Sequence, residues 1–363
     1  MKKSICFILP VYGTNPVGGI KVVYEYANRF YASGYEVGIF YPRVQIDNSS
    51  LKSLLRSLYY WLAGFLFRAY KPKKWFSLNK GIKQFLIPPL EKKIKSKKIS
   101  RYNTICVTSV ETAWFIADTV SPQSKIFYFI QDFEVWRNNS EQYVLDSYHL
   151  PFTKIVIAPW LLNKIQQVGE DAEIIYNGFD FTSFYIQNPI ENRNPLQITI
   201  LFHNAEHKRT KDCIKALSVV HEKYPLLKVH AFGVPLPPKN LPEWISYSRQ
   251  PNRKKLNEIY NSSSIYVAAS VTEGFGLTVG EAMICGNAIC CTDNGGFSCM
   301  VSNYETGLLS PVCDVNALAK NIELCISDND LRIKLAKAGN QVIKSFSWEK
   351  AFDKFKSLVE KEV

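Results

Sequence analysis

Two carboxylates, Glu273 and Glu281, bracket the run Gly274-Phe275-Gly276-Leu277-Thr278-Val279-Gly280. The segment follows an apolar stretch, Ile265-Tyr266-Val267-Ala268-Ala269, and leads into helix-like sequence that ends near Cys285-Gly286, so it reads as a turn between a buried strand and a helix. Glycines at 274 and 276 let the backbone come close to a ligand, and first-turn N–H groups of a helix lack internal acceptors and favour an anion. A diphosphate suits such a place. Glu281, within the early turns, is placed to accept hydrogen bonds from a vicinal diol such as ribose hydroxyls, and Glu273, on the loop, to contact a second polyol. The bland alternative is a capped helix start with one surface acid; both acids together with the flanking strand and helix favour a ligand site.

A second constellation is His203-Asn204-Ala205-Glu206-His207-Lys208-Arg209-Thr210-Lys211-Asp212, after an apolar strand ending at Phe202. Cations at a strand-to-helix turn would neutralise a diphosphate and stabilise the charge that builds on it as a leaving group; that role falls to Lys208 and Arg209 jointly. A third group, Gln131-Asp132-Phe133-Glu134, follows the strand-like run from Lys125 to Ile130.

These residues resemble the retaining GT-B glycosyltransferases of family 4, whose donor-domain signature is E-x7-E with an internal G-F-G. Glu273, Gly274, Phe275, Gly276, Leu277 and Glu281 match it, with support from Thr292-Asp293-Asn294-Gly295-Gly296, Gly307-Leu308-Leu309 and Phe346-Ser347-Trp348. The resemblance covers Ile198 to the C-terminus, and the first half only through a glycine loop, Gly13 with Gly18 and Gly19, similar to the one that approaches donor phosphates in that family. Relatives carry an Arg early in the loop after the strand ending at 202, where this chain has His203 or Asn204, and many place a His near Gln131. The resemblance implies a nucleotide diphosphate sugar as donor substrate, no cofactor and no metal, and a role for Asp132 or Glu134 in holding a donor hydroxyl or taking the acceptor's proton. No D-x-D follows a strand, and no G-x-G-x-x-G of the dinucleotide type is present.

The elements that must position these groups alternate. Strands are predicted at 4–11, 36–41, 104–108, 125–130 and 155–158, then at 197–202, 228–232, 265–269 and 288–292, separated by helix-length segments. In the second half the helices are predicted at about 210–223, 253–262 and 278–285, and from Val315 onward. A parallel α/β sheet is expected in each half. A polar stretch, Gln187 to Asn194, has the composition of a linker. Alternation thus predicts two doubly wound α/β domains, and the family resemblance implies that they are the two Rossmann-like domains of a GT-B fold facing across a cleft: an acceptor-side domain over 1–190, a nucleotide-sugar-binding domain over 191–345, and a C-terminal helix over 346–363 returning to the first domain, with Ser347 as its N-cap.

Composition fits. Hydrophobic residues make up 47 % and charged residues 21 %, which excludes a disordered or collagen-like chain. The nine cysteines lie scattered with no C-x-x-C pair, so a zinc or disulfide framework is not expected and a reducing cytosol is. Ser4 to Val11 reads as a first strand rather than a signal segment, because Pro10 and Gly13 cut it short.

The net charge is +12, and residues 51–100 alone hold 13 Lys or Arg against the single acid Glu91, the same excess. No nucleic-acid-binding signature accompanies it. Leu54 to Phe67 is apolar and aromatic, too short to span a bilayer, and lies beside the lysine run. That pairing suits an anionic membrane surface; the plainer reading is a buried helix followed by a solvated basic helix. The expected function is a metal-independent, retaining transfer of a rhamnose- or mannose-like hexose or deoxyhexose to a saccharide acceptor, lipid-linked, in bacterial surface polysaccharide assembly, by an enzyme peripheral on the inner face of the cell membrane. The alternative is an inactive relative that binds nucleotide or glycan within an assembly complex.

Overall fold

A computed structural model describes residues 3–11, 16–42, 59, 62, 65–66, 75–87, 98–118, 124–135 and 139–361. The chain divides into two compact units, Met1–Tyr176 with Ala351–Val363, and Asn177–Lys350. Both are parallel α/β sheets of the Rossmann type.

In the first unit, β1 (Ser4–Ile8), β2 (Glu36–Pro42), β3 (Lys83–Ile87), β4 (Thr104–Val107), β5 (Lys125–Ile130), β6 (Thr153–Val156) and β7 (Glu173–Ile174) lie side by side in the order β3-β2-β1-β4-β5-β6-β7, all parallel. Ile5, Phe7, Ile39, Ile105, Phe127 and Ile155 are fully buried along it, the near-continuous apolar reading of strands covered on both faces. The crossovers include α1 (Gly18–Ala32), α2 (Val110–Ala117), α3 (Glu141–Tyr148) and α4 (Pro159–Gln166). Strand order reverses between β1 and β4, the switch point at which open sheets of this kind leave a crevice.

The second unit repeats the scheme with β8 (Gln197–Phe202), β9 (Lys228–Gly233), β10 (Ile245–Arg249), β11 (Ile265–Ala268), β12 (Ala288–Thr292) and β13 (Leu308–Ser310) in the order β10-β9-β8-β11-β12-β13. Its helices are α5 (Thr210–Lys223), α6 (Arg253–Asn261), α7 (Leu277–Ile284), α8 (Val315–Ser327) and α9 (Asn329–Ile343). Ile198, Ile200, Val229, Val267 and Cys290 of the sheet pack with Ala216, Leu217 and Val220 of α5 and Leu318 and Ile322 of α8. The switch point here lies between β8 and β11.

Several details differ from the sequence reading. Residues 83–87, inside the basic stretch, form the edge strand β3 rather than a solvated helix: Lys83 pairs with Glu36 of β2 at 2.8 Å, and Phe85 stacks on Phe40. The helix expected from Val315 onward is two helices, because Asp328 ends α8 and its carboxylate caps α9 through the Leu331 N–H at 2.9 Å. The polar stretch at 187–194 is fastened to the second unit: Gln187 and Asn188 donate backbone N–H groups to the Asn261 side chain, and Arg193, 7 % exposed, donates to the carbonyls of Asn188, Ser263, Cys285 and Gly286.

The last helix, α10 (Trp348–Glu360), starts with Ser347 Oγ accepting from the Lys350 N–H at 3.2 Å, the N-cap expected from sequence. Its Phe355 is buried against the rings of Tyr26, Phe30, Phe127 and Phe129. Most of the basic stretch, residues 51–58, 60–61, 63–64, 67–74 and 88–97, lies outside the described residues. Within it Tyr59, Leu62, Phe65 and Leu66 are helical and exposed. Among the described residues, no helix is long and apolar enough to cross a membrane.

Candidate active site

The two loops at the β8/β11 switch point carry the groups singled out first. After β8 the chain makes a short 3-10 turn at Glu206–Lys208, and Arg209 takes the left-handed conformation (φ 49°) to start α5. After β11 it runs through Ser270 and Glu273 to Gly276, also left-handed (φ 90°), from which α7 begins without a side-chain cap. The loops are joined twice: the Val271 N–H donates to the His207 carbonyl at 2.8 Å, and Lys208 Nζ donates to Glu273 Oε2 at 2.7 Å. Lys208 and Glu273, 65 positions apart in sequence, are thus one ion pair.

Glu273 is held from behind. Its Oε1 accepts from Ser270 Oγ at 2.8 Å, and the Ser270 carbonyl accepts from Thr292 Oγ1 at 2.6 Å and Asn294 Nδ2 at 2.9 Å. Gly296 approaches from the same side; a Cβ there would stand 2.3 Å from the Glu273 carbonyl oxygen, so only glycine fits. The Thr292 to Gly296 stretch therefore braces the Glu273 loop. Ser270 was not singled out in the sequence; its signal is a hydroxyl three positions before a carboxylate at a turn.

The remaining signature residues divide by burial. Phe275 is 3 % exposed, with ring centroids of Phe179 and Phe346 at 6.0 and 5.9 Å, so its side chain anchors the turn from within. Leu277 and Thr278 are half-buried, and Thr278 Oγ1 accepts from Tyr266 OH at 2.9 Å. Glu281 is 6 % exposed and accepts from Tyr260 OH at 3.4 Å. Burial, with the Glu281 charge second, pushes the Tyr260 phenol far up and keeps it a neutral donor.

Arg209 points its bonding elsewhere: Nε donates to Asp212 Oδ2 at 2.6 Å, an i,i+3 pair at the start of α5. His203, at the carboxyl end of β8, accepts the Ala205 N–H on Nδ1 at 3.0 Å, and its backbone N–H and carbonyl are both bonded to Thr210 Oγ1. In the neutral ring the proton then sits on Nε2. Burial first, then the charges of Lys208 and His207, depress the His203 imidazole below its ordinary value, and burial and Lys208 do the same to His207. Both rings stay uncharged at neutral pH beside the Lys208 ammonium.

In the first unit, Gly18 and Gly19 open α1, and the Gln131 carboxamide at the end of β5 lies against Gly19, 3.4 Å from where a Cβ would stand. Gly13 is outside the described residues. Asp132 Oδ1 accepts the Phe133 N–H at 2.9 Å. Glu134 Oε2 accepts the Val110 N–H at 2.6 Å, so this carboxylate occupies the amino end of α2. Among the described residues no cluster of three or more His, Cys, Asp or Glu could hold a metal ion.

Residues 187–342 match the family model of the group 1 glycosyl transferases. The match spans most of the second unit and all of the Lys208–Glu273 site. No curated protein matches the chain. Solved structures similar in fold include Anabaena HepE in complex with UDP and glucose (15 % identity, 98 % of this chain and 99 % of that chain covered, TM-score 0.74). A sucrose-phosphate synthase from Thermosynechococcus elongatus is similar at 16 % identity, 98 % coverage of each chain and TM-score 0.73. A mutant of S. aureus TarM, in complex with fondaparinux, alpha-GlcNAc-glycerol and UDP, is similar at 12 % identity, covering 99 % of this chain and 100 % of that one, with TM-score 0.72. The fold is thus GT-B, two Rossmann-like α/β domains.

Proposed function

We propose that this chain is a glycosyltransferase that moves a hexose or deoxyhexose, rhamnose- or mannose-like, from a nucleotide diphosphate sugar to a saccharide acceptor with retention of anomeric configuration and without a metal. The observation that carries the reading is the Lys208–Glu273 pair at the carboxyl ends of β8 and β11, beside the start of α7, which no side chain caps. An ammonium next to the first-turn N–H groups of a helix suits a diphosphate; a braced carboxylate next to it suits sugar hydroxyls. The match of residues 187–342 supports it, as do the fold neighbours crystallised with UDP.

In this reading the backbone of Gly274, Phe275, Gly276 and Leu277 lies along the phosphates and Glu281 takes the ribose hydroxyls. Lys208, with Arg209 adding charge from its Asp212-bonded position, stabilises the departing diphosphate. The anomeric C–O bond to phosphate breaks as the acceptor oxygen bonds to the same carbon, and the acceptor proton passes to the leaving phosphate oxygen. In the first unit, Gly18, Gly19 and Asp132 are the candidate ligand-contacting residues.

The acceptor is proposed to be lipid-linked, in bacterial surface polysaccharide assembly, with the enzyme peripheral on the inner face of the membrane. The +12 charge of residues 51–100 and the exposed apolar positions Tyr59, Leu62, Phe65 and Leu66 support this. The test is transfer from UDP-, GDP- and dTDP-sugars to polyprenyl diphosphate saccharides on anionic vesicles, with product anomers read by NMR. Transfer that Glu273→Ala abolishes is expected. Background turnover with every donor refutes the reading; nucleotide binding without turnover makes the chain an inactive relative.

A further inference from the structure

We propose that Glu273 and Lys208 form an exchangeable pair that makes the site prefer a diphosphate carrying a sugar over the bare nucleoside diphosphate. The inference rests on the donor-binding reading above and extends it to discrimination between substrate and product.

The two partners are unequally fixed. Ser270 holds one Glu273 oxygen, Thr292 and Asn294 fix Ser270, and Gly296 packs against the Glu273 backbone. Lys208 reaches its partner on a flexible four-carbon stem. Both side chains are mostly shielded, at 22 % exposure for Lys208 and 13 % for Glu273. Glu273 Oε2 therefore holds an ammonium that an incoming phosphate would also bond.

When a diphosphate takes Lys208, Glu273 Oε2 loses its donor and stays, as a shielded carboxylate, next to a second anion. A sugar on that diphosphate refills the oxygen with a hydroxyl donor. A bare nucleoside diphosphate does not, and leaves a charged acceptor unsatisfied, which is costly. After transfer the sugar has gone, Glu273 recaptures Lys208, and the spent nucleotide is released.

Calorimetric titration of UDP, GDP and dTDP, and of their sugars without acceptor, tests this. Glu273→Gln keeps the shape and removes the charge. It is expected to bind the bare diphosphate tighter, on the order of tenfold, while the nucleotide sugar gains nothing and turnover falls. In a Lys208→Gln background the same change is expected to lose that gain, since there is no pair left to break.

Unchanged or weaker diphosphate binding in Glu273→Gln overturns the inference, and so does an equal gain in both backgrounds, which would be plain charge repulsion. If the glutamine variant does not fold, Glu273→Asp, which keeps the charge but shortens the reach to Lys208, gives the same pair of comparisons. Binding of no nucleotide by the wild type refutes the donor-site reading itself, and the inference with it.

Discussion

Gly276→Ala tests how the signature turn is built. At φ 90° the backbone of residue 276 is in the left-handed region, which an L-residue enters at a cost of about 1–2 kcal/mol. A Cβ there would stand 2.5 Å from Phe297 Cδ1 and 2.8 Å from Cε1, inside any real contact distance. Phe297 is 1 % exposed, so its ring has no free space to enter; overpacking of this kind costs about 1–3 kcal/mol. The two terms are separate in origin and sum to about 2–5 kcal/mol. Phe297 follows Gly296, which braces the Glu273 backbone, so the displacement reaches the Lys208–Glu273 pair as well. Urea denaturation followed by circular dichroism measures the loss, and nucleotide titration measures the damage to the site. Gly276→Ala/Phe297→Leu should recover part of the packing share and none of the backbone share. A single variant within about 1 kcal/mol of wild type, or full recovery in the double variant, would refute the account.

Two other outcomes are expected. Arg193→Met, which removes the donor to the buried carbonyls of Cys285 and Gly286 while Ser263 keeps Asn287 Nδ2, should destabilise the second unit by about 2 kcal/mol or more, read as a lower denaturation midpoint. His203 and His207 are held below the ordinary imidazole value of 6.5, so below that value the unfolded chain binds more protons than the folded one. Stability should therefore be fully present above pH 6.5 and fall as the pH drops towards the folded values. Because protonation of Nδ1 also breaks the Ala205 hydrogen bond, His203→Asn should flatten that acid limb in thermal melts; an unaltered slope would sink the assignment.

The strands legible in the sequence were those whose apolar side chains run unbroken: β1, β5, β8 and β12 lie within their predicted spans, and α5 matches at both ends. β3 was missed because its alternation is masked by Lys83 and the lysines around it, and its strand character comes from pairing with β2. β10, Ile245–Arg249, reads as polar because an edge strand buries little. At the site, Glu273 and Lys208 were each found through their own loops, but their pairing needs the β8–β11 adjacency, which no local pattern encodes. Ser270 stayed hidden for a related reason: a lone serine says nothing until its hydroxyl is seen on Oε1.

Glu134 seats its carboxylate on the Val110 N–H at the start of α2, where the first sheet presents a helix end next to its switch point. The equivalent helix of the second sheet, α7, starts at Gly276 with no side-chain cap hydrogen bond. Two halves of like topology thus differ at this helix end: one places an acid of its own chain on the first N–H, while the other begins on a glycine.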